Sequence, residues 1–68
     1  MILDKRIKKA FLSSRKLEGV IPNSNQIKNV VMRLEQIFTP EELIVMDEKI
    51  FSQQVERVWP VAKYIDRS

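Results

Sequence analysis

The chain has 68 residues, 44% of them hydrophobic, with a formal net charge of +3, one glycine, no cysteine and no histidine. This length allows a single small domain, residues 1–68, whose core is at the lower limit for stable folding, and the missing residue types exclude disulfides and the common zinc and haem ligands. The charge is divided unevenly, with eight cations against two acids in residues 1–33 and four against seven in residues 34–68, a pattern that points to a polyanion-facing end.

The first predicted element is a helix from about Asp4 to Leu17. Leu3, Ile7, Ala10, Phe11 and Leu17 recur with the helical period. Gly19 is suited to the left-handed turn that stops it, and Pro22 holds Ile21 extended. At about 100° per residue, Lys5, Lys9 and Lys16 fall opposite the apolar stripe, with Lys8 and Arg15 on one side, Arg6 on the other and Leu12 among them. This is a cationic ridge suited to phosphates. An ordinary solvated lysine face explains the same residues without a ligand. Against that stand the absence of Glu–Lys pairs one turn apart along the helix and the apolar Leu12, expected to be exposed.

A second helix is predicted to start at Asn23 or Ser24, where Asn23 and Gln26 have the spacing of a reciprocal capping box. Its core face is Ile27, Val30, Val31, Leu34, Ile37 and Phe38. The opposite face carries Asn25, Lys28, Asn29, Met32, Arg33 and Gln36. Asparagine can read adenine edges, and lysine or arginine can contact guanine or phosphate. Two helices so arranged suggest a helix-turn-helix, although the connection from Gly19 to Asn23 is longer than its usual turn and contains Pro22.

The third start is marked most strongly. Thr39-Pro40-Glu41-Glu42 supplies an N-cap, a proline at the first helical position, first-turn acids and a reciprocal partner in Glu42, and Phe38 and Leu43 have the spacing of a hydrophobic staple. The helix is predicted to run to about Trp59, with residues 60–66 a kinked continuation across Pro60 or a short fourth helix. Its apolar sector, built on Leu43, Met46, Ile50, Phe51 and Val58, spans roughly 200° with Ile44, Val55 and Trp59 included. A sector this broad belongs at the centre of the fold or at an interface. For an interface the anchors are Met46, Phe51 and Trp59, with Leu12 as a separate apolar contact.

No stretch alternates with the period of a strand, so the fold class is all-α: a compact three-helix domain with a kinked or short fourth C-terminal helix. The longest apolar run, Leu43 to Met46, is far short of the ~20 residues needed to cross a membrane. Met1-Ile2-Leu3 runs directly into charges, unlike a signal peptide. A cytoplasmic protein is expected. Catalysis finds no base–nucleophile pair, no carboxylate pair sharing a face and no glycine-rich phosphate loop. No catalytic residue, cofactor, metal or small-molecule substrate is therefore expected. The sequence favours a small non-catalytic regulator that contacts nucleic acid, most readily DNA. Its phosphate contacts are Lys5, Lys8, Lys9, Arg15 and Lys16, its base-facing residues are Asn25, Lys28, Asn29 and Arg33, and its C-terminal half self-associates as a homodimer. The alternative, from a different class, is an inhibitor or adaptor docking on a partner protein.

Overall fold

The apolar repeat of the first segment folds as predicted but is displaced along the chain. In the structure, a computed structural model describing residues 2–64, helix α1 spans Ile2–Ser13 and buries Leu3, Ile7, Ala10 and Phe11. It stops four residues short of Leu17: the Ser14 amide still donates to the Ala10 carbonyl, and the buried Ser14 hydroxyl donates to the Glu56 carboxylate. A turn over residues 15–19 follows. Its amide at Val20 donates to the Leu17 carbonyl at 3.0 Å, and Leu17 still reaches the core. Gly19 sits at φ +83°, in the left-handed region, with open space where a side chain would project. The position therefore requires glycine for its backbone angle and not for room.

Helix α2 spans Ser24–Glu35. Its start is the expected reciprocal box: the Gln26 amide donates to Asn23 Oδ1 at 2.8 Å, and the Asn23 amide donates to Gln26 Oε1 at 2.9 Å. The helix ends before Ile37, which turns outward, while Phe38 stays half-buried against the core. Helix α3 spans Pro40–Val45 and opens with a second box, in which the Glu42 amide donates to Thr39 Oγ1 and the Thr39 amide to Glu42 Oε1. An N-cap hydroxyl of this kind stabilises by about 1 kcal/mol. Thr39→Ala should lower the melting temperature by roughly 4–8 °C in a domain of this size, and Thr39→Ser should leave it nearly unchanged; a thermal melt followed by circular dichroism checks both.

The helix expected from Thr39 to Trp59 is two helices. Met46 and Asp47 are extended (ψ 138° and 140°), and helix α4 begins afresh at Glu48 and runs to Ala62. Asp47 caps it by accepting the Lys49 amide at 3.1 Å. The break also ends the roughly 200° apolar sector, since α4 alone buries only the stripe Phe51, Val55, Val58 and Ala62. Pro60 lies on the exposed side and does not end the helix: the Lys63 amide donates to the Trp59 carbonyl at 2.8 Å, beyond the proline. Of the stretch 60–66 read as a continuation or a fourth helix, residues 60–62 continue α4, and 65–66 lie outside the described residues.

Helices α1, α2 and α4 all pack on one another, and α3 lies against α1 and α2. The side-chain amides of Gln26 and Asn29 reach carbonyls at the end of α4, which ties the first half of α2 to the C-terminal end of α4. The centre is filled by Ile7, Val30, Leu34, Leu43, Phe51 and Val55. The fold is an all-α compact globule, and its radius of gyration of 10.9 Å equals the value of roughly 11 Å for a folded chain of this length. No described helix is long and apolar enough to cross a membrane.

Candidate nucleic-acid interface

With Leu3, Ile7 and Phe11 turned into the core, the opposite side of α1 presents Lys5, Lys8, Lys9 and Leu12 to solvent. Leu12 is 88% exposed in the midst of these lysines. Arg15 and Lys16 are also exposed, but they stand on the turn after α1 rather than in its helical register. The ridge therefore does not extend as one helix face to Lys16. Its helical part ends at Ser13, and two further cations follow on the turn.

Arg6 departs from the ridge altogether. It is half-buried, with its guanidinium 4.7 Å from the centre of the Phe51 ring, and it donates to the carbonyls of Leu43 and Met46. Those carbonyls close α3, and the extended Met46–Asp47 link leaves them without helical partners. Arg6 is thus a structural residue that supports the helix break. Sequence spacing placed it at the ridge's flank and carried no sign of that role.

Nor is the ridge wholly uncompensated. Lys9 Nζ lies 3.1 Å from Glu48 Oε2, a pair formed across helices and invisible to a search along α1. Both side chains are largely exposed, so the pair contributes little to stability, and Lys9 remains at the surface. It is the sole ion pair among the described residues. Lys5, Lys8, Arg15, Lys16, Lys28 and Arg33 have no carboxylate within bridging distance there.

Lys28 joins α2 to the ridge. It lines, with Lys8, Asp4, Ser24, Pro22 and Ile27, a depression of about 180 Å³ between α1 and the start of α2. Asn25 and Arg33 are exposed. Asn29 is not presented outward as a base reader would be: it is half-buried, and its Nδ2 lies 3.3 Å from the Ala62 carbonyl and 3.5 Å from that of Tyr64. Gln26 Nε2 donates to the Lys63 carbonyl at 3.1 Å. These amides close the C-terminal end of α4, whose last carbonyls lack partners within the helix.

The expected interface anchors divide. Leu12 is at the surface. Phe51 is 2% exposed, a residue of the core and not a surface anchor. Met46 and Trp59 are half-buried against the same core, and the Trp59 ring meets Phe11 edge-on with centroids 4.8 Å apart. On either side of the break at Met46–Asp47, Leu43 and Phe51 are buried, while Ile44, Val45 and Ile50 stay exposed.

A second concavity, of about 460 Å³, was not foreseen. It opens between α1 and the start of α4, is lined by Arg6, Lys9, Ser13, Asp47, Glu48 and Lys49 among others, and carries both signs of charge. Comparison with protein-family models, curated proteins and solved structures finds no match to this chain.

Proposed function

We propose that this protein is a small non-catalytic nucleic-acid-binding regulator. Its exposed cations along α1, on the following turn and at Lys28 contact a phosphate backbone. The observation that carries this reading is the set Lys5, Lys8, Arg15, Lys16 and Lys28, all exposed and none paired with a carboxylate among the described residues. A phosphodiester chain supplies the missing counter-charges and releases its own condensed cations on binding. Lys9 adds to this set, since its pair with Glu48 is solvent-exposed and exchangeable.

Titrating a labelled DNA duplex at several salt concentrations tests the proposal. Binding at low salt that weakens steeply as salt rises is expected. The reading fails if no binding occurs at low salt, or if affinity ignores salt. The double substitution Lys5→Glu and Lys8→Glu should reduce binding while leaving helix content unchanged, because both side chains are exposed.

Leu12 supports one other reading, docking on an acidic protein surface with this leucine as the apolar contact. Leu12→Ser separates the two: it should spare a phosphate-based complex and abolish a protein-based one.

A further inference from the structure

We infer that the nucleic-acid contact is made with the backbone and not with base edges, so that the protein binds duplex DNA without sequence preference. This inference rests on the function proposed above and concerns what the same surface recognises.

Reading bases requires a helix that carries several uncommitted donors and acceptors along the face it presents to the groove. Helix α2 is the element whose composition suggests such a face; Asn29, near the middle of that face, is engaged within the fold, which leaves Asn25, Lys28 and Arg33 as its exposed polar groups. Asn29 Nδ2 serves the Ala62 and Tyr64 carbonyls. Gln26 is used at both ends of its amide, with Oε1 accepting from the Asn23 backbone and Nε2 donating to Lys63. Asn23 Oδ1 accepts the Gln26 amide. At about 100° per residue, the outermost line of α2 holds Asn25 and, two turns on, Met32. Met32 is 58% exposed and offers no donor to a base edge. One edge of α2 carries Lys28 followed by the exposed Glu35, whose charge opposes entry into a groove walled by phosphates.

The cations point the same way. Of the exposed cations Lys5, Lys8, Lys9, Arg15, Lys16, Lys28 and Arg33, only the two arginines have the planar fork that holds guanine in two defined bonds; Arg15 stands on a turn, and Arg33 stands alone in the last turn of α2. The lysines are compact point charges on flexible stems, effective toward phosphate in many geometries. A surface of this kind senses charge density and not the pattern in the groove.

The experiment is a competition at 50 mM salt among duplexes of equal length, drawn from a random-sequence pool and sequenced after selection with the full chain, followed by a salt titration of several unrelated members. All should bind within about threefold of one another, as expected where phosphate contacts dominate. If five cations engage phosphates, affinity should fall roughly 500-fold between 50 and 200 mM salt. Asn25→Ala should leave affinity within about twofold, whereas Lys8→Ala should weaken it equally for every duplex. A selected consensus preferred tenfold or more, within the about 5–150-fold that one good base contact confers, overturns this inference and leaves the proposed function standing. Binding to no duplex at all overturns both.

Discussion

Phe51→Ala should unfold a large share of the molecules rather than free a partner surface. Phe51 is the largest of the side chains sealed at the centre of the fold, and the first buried residue of α4. Its ring lies beneath the Arg6 guanidinium and belongs to one cluster with Leu43, Leu34 and Val55. Truncating a buried phenylalanine costs about 3–5 kcal/mol, because the lost transfer energy is joined by the cavity left behind. A 68-residue domain holds only about 3–10 kcal/mol in total. The melting temperature should therefore fall by at least about 12 °C, with a visible loss of helical signal at 25 °C. Circular dichroism together with solution mass decides the matter. Retained helix content with a halved mass would return Phe51 to an interface; lost helix content places it in the core of one chain.

Arg6→Ala should be the most damaging substitution among the N-terminal cations. Lys5 and Lys8 are exposed, and their replacement by alanine should change stability by no more than about 0.5 kcal/mol. Arg6 instead joins the end of α3 to α1 by donating to two carbonyls that have no helical partner, and covers one face of Phe51. Hydrogen bonds from a charged donor contribute about 1.5–3 kcal/mol, tempered here by partial exposure, so a loss of about 2 kcal/mol is expected. Arg6→Lys keeps the charge but cannot span both carbonyls with a planar fork, and should restore about half of that loss. Urea denaturation of the three proteins measures the order. Arg6→Ala as harmless as Lys5→Ala would show that the break at Met46–Asp47 stands without this support.

The two capping boxes show which features can be read locally. Asn23 with Gln26, and Thr39 with Glu42, satisfy each other over three residues, so their geometry follows from spacing alone and both appear in the fold. The start of α4 had a local sign as well, an Asp47 cap with Glu48 in the first turn. That sign competed with an apolar pattern running in phase from Leu43 to Phe51, and helical periodicity favours continuity. At the break itself Arg6, some forty residues earlier in the chain, supplies donors to the carbonyls left without helical partners, which the local pattern cannot show. The end of α1 is similar: Ser14 meets Glu56, forty-two residues away, and the helix closes there rather than at Leu17.

The candidate surface divides along the same line. Exposure of Lys5, Lys8, Leu12, Arg15, Lys16, Asn25, Lys28 and Arg33 was legible, because each lies away from an apolar stripe or in the turn between helices. The engagement of Arg6, Lys9 and Asn29 was not, since their partners lie on other helices. By itself the sequence determined the helical class, two of the helix starts, the apolar stripes and the concentration of positive charge in the first half. Those depend on interactions within a few residues of the chain. Tertiary structure decided that Arg6 supports the break in the third segment, that Phe51 is core and which polar groups remain outward, because each of those outcomes is set by donors, carbonyls and rings brought together from distant parts of the chain.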